Sequence, residues 1–422
     1  MSRKGAGLTG MTMLAVLLVP QAVRAQDAPP PAPPPPPPAV IEVAPPAPPP
    51  PPLPPPAIAE AVKPPTATEA MPATRPDTLP PITVGAWTRI GGKFQNANDP
   101  KKVNDFAFDN AYVELHVGGK IHKNFGVTLN LNANMTNFGG ASPNMGMTSA
   151  LDQLGSPVSV MDAIAQFDLQ DEFHVWAGHL LVPVDRSNAS GPFFMIPWNY
   201  PGFFAPGAIG APKEGPYGRN NGAVVWGDIM GGKFTYLAGV FDNGSLTSSP
   251  LFSGRLRLAL LDPEGGFWGN GSYFGEKDLL TIAVGAQFQK HGSATAMQDK
   301  DWAEINGDVL FEKKLPGGGW VTAEAAYYHF NVLEGGVDNS AYGLLAYATP
   351  KIGVGNIQPS VRYQMVTVKG SGMPKPWNLD VGLAYLIKGP ALRLIGNYSH
   401  TDMDAGGATA NAVQLGVQAI FF

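Results

Sequence analysis

Beyond Ile82 apolar and polar residues alternate along the chain with a period of two, the pattern of strands that show one apolar and one polar face. Phe125, Val127, Leu129, Leu131 and Ala133 alternate with Thr128, Asn130, Asn132 and Asn134. Leu280, Ile282, Val284, Ala286 and Phe288 alternate with Thr281, Gln287 and Gln289, and Val413, Leu415, Val417, Ala419 and Phe421 with Gln414 and Gln418. A soluble sandwich would carry charged residues on its polar face, whereas this face is rich in Asn and Gln. The pattern predicts lipid outside and water inside, which makes the fold class all-β: a transmembrane antiparallel β-barrel.

Segments of this kind fall near 83–95, 108–119, 125–135, 158–168, 173–181, 219–229, 232–241, 252–261, 279–290, 301–312, 319–330, 339–348, 356–367, 376–387, 391–401 and 411–421. That is about sixteen strands, an even number as bacterial barrels require. Connections alternate between long and tight, except that 262–278 is long where a tight one is due. The longest well-marked connection, 182–218, interleaves prolines with Phe193, Phe194, Trp198, Phe203 and Phe204, while only Asp185, Arg186, Lys213 and Glu214 carry charge. A loop of that length needs a job and a surface to fold against. The expectation is that it folds into the lumen and narrows it, with Asp185, Arg186, Lys213, Glu214 and Arg219 at its two ends near the narrowest point.

Residues 1–81 read differently. Arg3 and Lys4 precede an apolar run from Met11 to Val19, and Ala25 offers a small residue for cleavage, so 1–25 read as a secretory signal peptide. Residues 26–81 are dominated by proline, form no core, and read as a disordered segment before a barrel spanning 82–422. At about 3.1 Å per residue a stiff polyproline helix of that length reaches on the order of 170 Å. Two readings stand: a periplasmic tether touching peptidoglycan, or a solvated tail. No run of 18 apolar residues follows the start of the chain, which excludes a helical membrane protein. Zero cysteines exclude disulfides, thiolate zinc sites and covalent haem attachment, and no cofactor or nucleic-acid partner is expected.

Parity assigns side chains to the lumen. Arg89, Lys93, Lys233, Arg255, Arg257, Arg362 and Arg393 fall inside, against Glu114, Asp162, Asp168, Glu304, Asp308, Glu324 and Asp380. Basic residues concentrate on one arc, while Glu304, Asp308 and Glu324 fall on another, so a transverse field across a water-filled pore is expected. An enzymatic barrel needs a histidine beside a nucleophile or carboxylate, and the seven histidines show no paired spacing. His174 and His179 point to opposite faces, which speaks against a metal site.

Several stretches are similar to the phosphate-selective porin O and P type family of bacterial outer-membrane porins. Asp162-Ala163 leading through Phe167 to Gly178-His179-Leu180-Leu181-Val182-Pro183 resembles that family's strand ending in Gly-x-x-x-x-Pro, and Gly218-Arg219-Asn220-Asn221-Gly222 resembles its re-entry into the barrel. Gln414-x-Gly416-x-x-Ala419-x-Phe421 is similar to the last-strand signal read by the barrel-assembly machinery, one residue short of the terminal Phe422. The resemblance implies a sixteen-stranded, homotrimeric outer-membrane channel for small hydrophilic solutes, with an inward third loop and a phosphate-like anion preference. His179, Leu181 and Asn220 depart from the residues usual in the family at those places, so anion preference is not carried over with the fold.

Overall fold

A computed structural model describes residues 82–97, 105–134, 158–201, 218–242, 249–292, 300–331, 333, 336–402, 404 and 409–421. The signal and Pro-rich segments, Lys213, Glu214, Phe203 and Phe204 lie outside these residues. The strands are β1 (Ile82–Ala97), β2 (Asp105–His122), β3 (Phe125–Asn134), β4 (Val158–Gln170), β5 (Phe173–Leu181), β6 (Arg219–Ile229), β7 (Phe234–Phe241) and β8 (Leu251–Ala259). They continue as β9 (Leu279–Gln289), β10 (Trp302–Lys314), β11 (Trp320–Asn331), β12 (Val337–Ala348), β13 (Asn356–Val368), β14 (Trp377–Lys388), β15 (Leu392–Asp402) and β16 (Thr409–Phe421). One five-residue helix, α1 (Arg186–Ser190), follows β5.

Each strand pairs antiparallel with its chain neighbours, and β1 meets β16 in a register running from Ala86 opposite Phe421 to Ala97 opposite Ala410. The sixteen strands thus close into a barrel with no free edge. Closure is what lets strands cross hydrocarbon, because every main-chain N–H and C=O of the wall then finds a partner without water.

The expected faces are present. On β9 Thr281, Gln287 and Gln289 are buried, while Ile282, Val284 and Phe288 are exposed. On β16 Gln414 and Gln418 are buried and Val413, Leu415, Val417 and Phe421 exposed. Aromatic side chains stand on the outer face toward both rims: Phe94, Phe288, Tyr327 and Tyr398 toward one, Phe167, Phe173, Tyr347 and Phe421 toward the other. Tyr327 and Tyr398 donate their hydroxyls to Asn339 and Asn411, each at 2.7 Å, so the ring faces outward and the polar tip is satisfied.

One parity assignment needs correction. Lys233 is exposed in the turn before β7, which begins at Phe234, so alternation does not extend to it.

The exposed face of β9 gives a direct test. Val284→Arg, at the middle of that strand, should cost about 2–4 kcal/mol in a denaturant titration from lipid vesicles. A cost below about 1 kcal/mol would mean that this face does not meet hydrocarbon.

Candidate functional site

A ring of sixteen strands is too wide for opposed side chains to meet across it, and here two connections occupy the interior. The first is the loop after β5. Asp185 caps α1, accepting from the Asn188 N–H at 3.2 Å and from the Tyr328 hydroxyl of β11 at 2.6 Å. Ser187 and Tyr342 of β12 share a hydrogen bond at 2.9 Å. The chain then crosses to the far side. Arg362 on β13, the strand opposite β5 in the ring, donates to the carbonyls of Asn199 at 2.9 Å and Tyr200 at 3.0 Å.

Wall side chains, arginines above all, hold the described part of this loop, residues 182–201, by its main chain. Arg255 donates to the Val184 carbonyl at 3.0 Å, and Ser253 to that of Pro183 at 2.8 Å. Arg89 donates to Pro192 O at 3.1 Å and Trp198 O at 2.8 Å, with its guanidinium 4.1 Å from the Trp198 ring centroid. Arg393 and Gln418 both donate to Phe193 O, at 3.2 and 3.0 Å. Phe193 is buried against Trp87 and Tyr112.

Two glycine sites make room for the loop. Gly91 and Gly416 are register partners across the β1–β16 seam, and a Cβ on Gly416 would come within 2.2 Å of the Trp198 ring. A Cβ on Gly285 of β9 would lie 2.0 Å from the Val184 carbonyl oxygen.

The second inward segment is the connection 260–278 between β8 and β9. It is long on the side where tight turns are the rule because it folds back into the barrel. Phe267 packs on Trp176 and Trp226, and Trp268 lies 5.5 Å from the Arg219 guanidinium. Arg257 donates to the carbonyls of Gly266 at 2.6 Å and Trp268 at 3.3 Å. Glu312 of β10 accepts from the Ser272 hydroxyl at 2.8 Å, and from the N–H of Tyr273 at 3.1 Å and of Gly275 at 2.7 Å.

The two segments meet at Arg186. Its guanidinium donates to both oxygens of Glu264 at 2.6 and 3.0 Å, to the Asn270 carbonyl at 2.9 Å and to Asp308 at 3.1 Å. Asp308 in turn faces Arg255 at 2.6 Å, so charge alternates along Glu264, Arg186, Asp308 and Arg255. Arg186 and Glu264 are almost wholly buried. Burial opposes ionisation of Glu264, but the charge and hydrogen bonds of Arg186, with Arg257 behind it, outweigh that and lower its carboxyl to about 2. Asp185 moves the other way: burial raises it, and Tyr328 and Arg255 only partly offset this.

Sequence reasoning places most candidate residues on the correct face and misses their partners. Arg89, Arg255, Arg257, Arg362 and Arg393 point inward, but they are buried and engaged with loop carbonyls or wall carboxylates instead of standing in open water. Arg362 also pairs with Asp380 at 2.7 Å. Arg219 pairs with Asp162 at 3.2 Å. Glu304 accepts from Asn306 at 2.8 Å, Glu324 from the Tyr342 hydroxyl at 2.5 Å, and Lys93 is half-buried on β1. Glu264, Asn270 and Trp268 were not among the candidates. The signal for them lay in composition, because Phe267-Trp268 and Tyr273-Phe274 stand among glycines much as the aromatics of the first loop do.

No protein-family model matches the chain, and no curated protein matches it in sequence. Its fold is similar to that of OprB from Pseudomonas putida at 10% identity, with a TM-score of 0.57 over 81% of this chain and 94% of that one. It is similar to OmpF of Salmonella typhi, in complex with daunomycin, at 11% identity, with a TM-score of 0.54 over 81% of this chain and 98% of that one. An anion-selective porin from Comamonas acidovorans aligns at 15% identity, with a TM-score of 0.52 over 81% of this chain and all 100% of that one. At these identities the shared property is the barrel fold.

The lowered Glu264 carboxyl stabilises the meeting of the two segments fully above its ordinary value near 4.5, and that contribution is lost as pH falls toward 2. Hydrogen exchange of 186–190 should therefore stay slow down to about pH 4.5 and quicken below it; Glu264→Gln should be fast at neutral pH. Equal protection in wild type and variant at pH 7 would count against the pair. Separately, Gly416→Val should expel the Trp198 ring and destabilise the barrel by about 1–3 kcal/mol, read as a shift in the denaturation midpoint together with Trp198 emission.

Proposed function

We propose that the protein is an outer-membrane porin, a passive diffusion channel for small hydrophilic solutes and ions. The observation that carries this reading is a closed barrel with an apolar exterior whose interior, among the described residues, is narrowed by a loop pinned to β1, β8, β13, β15 and β16. A transport barrel needs such a device to turn a wide lumen into a passage that discriminates among small solutes. The homotrimer, insertion by the barrel-assembly machinery and a periplasmic position for 26–81 belong to the same proposal, and they rest on the signal segment, the carboxyl-terminal pattern and the family resemblance.

A phosphate-like anion preference, implied by the family resemblance, draws no support from the basic arc, because its guanidinium groups are occupied by carbonyls of the inward segments and by wall carboxylates. The Pro-rich stretch favours a second role as a tether to peptidoglycan, which is separable from conduction.

Reconstitution in planar bilayers tests the channel. Wild type should give discrete, ohmic conductance steps, and replacing residues 192–201 with a Gly/Ser linker should enlarge them about twofold or more. Absence of conductance in correctly folded protein would end the proposal. Deleting 26–81 should leave the steps unchanged; a loss of envelope integrity in cells carrying that deletion would support the tether.

A further inference from the structure

Between the two inward segments and the wall of β1 to β6 lies a cavity of about 450 Å3. Thr83 and Gly85, near the start of β1, line one end, and Arg219, the first residue of β6, lines the other. Those strands run in opposite directions, so the cavity extends between opposite halves of the barrel. Its loop side is aromatic, from Phe193, Phe194 and Trp268, and its wall side carries Trp87, Glu114 and Asp162.

Most polar groups on that wall are engaged with one another. Asn130 stands 2.8 Å from His116 Nδ1 through its oxygen, and donates through its amide to Asp162 at 2.8 Å. Arg219 donates to the other Asp162 oxygen. Glu114 Oε2 lies 2.9 Å from His116 Nε2. Glu114 Oε1 is different, since it is buried and makes no hydrogen bond. A carboxylate oxygen withdrawn from bulk water and left without a donor is costly, and its uncompensated charge attracts a cation or ammonium group in the cavity alongside it. The lining holds two carboxylates, Glu114 and Asp162, and one guanidinium, that of Arg219, which is committed to Asp162.

We infer that this cavity is the solute path, that the connection 260–278 helps confine solutes to it, and that Glu114 is the residue that makes the passage prefer small cations, including organic ammonium ions. The inference rests on the channel reading above. It assigns selectivity to the β1 to β6 side of the lumen and removes it from the arc around Arg255 and Arg257, whose guanidinium groups are held by loop carbonyls and by Asp308.

The chain has no cysteine, so a single introduced thiol reports without background. In planar bilayers under a potassium chloride gradient, the full-length protein should show a reversal potential favouring potassium. Glu114→Gln should lower the potassium-to-chloride permeability ratio by about twofold or more, and Trp268→Ala, which keeps the charges, should raise conductance while preserving the sign of selectivity. Glu114→Cys should be blocked by a cationic methanethiosulfonate reagent. A conducting wild type whose ratio is unmoved by Glu114→Gln would overturn the assignment, as would a Glu114→Cys channel indifferent to the reagent. A wild type that inserts and conducts nothing would instead overturn the channel reading.

Discussion

A guanidinium taken out of water must have its charge cancelled and its N–H groups occupied, and the interior of this barrel is arranged around one that is. Arg186 meets Glu264 from one inward segment, Asp308 from the wall and the Asn270 carbonyl, all within 3.1 Å. Each partner is held in turn: Asp308 by Arg255, and the segment bearing Glu264 by Arg257 and Glu312. Removing one member of such a set leaves the others buried and unbalanced, at a cost of about 3–5 kcal/mol for a two-membered pair. The interior therefore behaves as one unit, because its two segments, arriving from opposite ends, have no other charged meeting point among the described residues.

That arrangement answers a geometric problem. Strand number fixes the width of a barrel, and sixteen strands leave more space than lumen side chains can fill. Irregular chain placed inside must have its main-chain groups satisfied, since buried carbonyls and N–H groups without partners are rarely tolerated. Long wall side chains meet this need from below and from across: Arg89, Arg255, Arg362 and Arg393 reach carbonyls that the strands themselves could not approach. Where the wall must instead yield space, it carries glycine, as at Gly285 and at the Gly91 and Gly416 pair.

The barrel was legible in the sequence because its signal is local. Alternation such as that of Val284 with Gln287 is set by the pleat and the solvent on each side, and strand limits follow from turn residues nearby. Parity also puts Arg362 and Arg393 in the lumen, yet it says nothing about what they meet there. Their acceptors, Asn199 and Phe193, lie far away in sequence, and an apolar loop with prolines could equally have lain at the rim. The connection 260–278 was visible as an irregularity in length, but the cause of the irregularity, a carboxylate at Glu264 matched to Arg186, exists only once both segments have turned inward. Lys233 shows the opposite failure, where a periodic rule was carried one residue past the strand that justified it.

The anchors of the first loop have an evolutionary consequence. Every arginine that fixes its course does so through a carbonyl oxygen, and a carbonyl is the same group whichever side chain its residue bears. The path is thereby written largely in the wall, and the loop side chains that do not pack on it, unlike Arg186, Phe193 and Trp198, are left free to drift. Lineages of this barrel can exchange the residues that face the passage without having to rediscover where the loop goes, and divergence should accumulate fastest at the few loop positions that meet the passage alone.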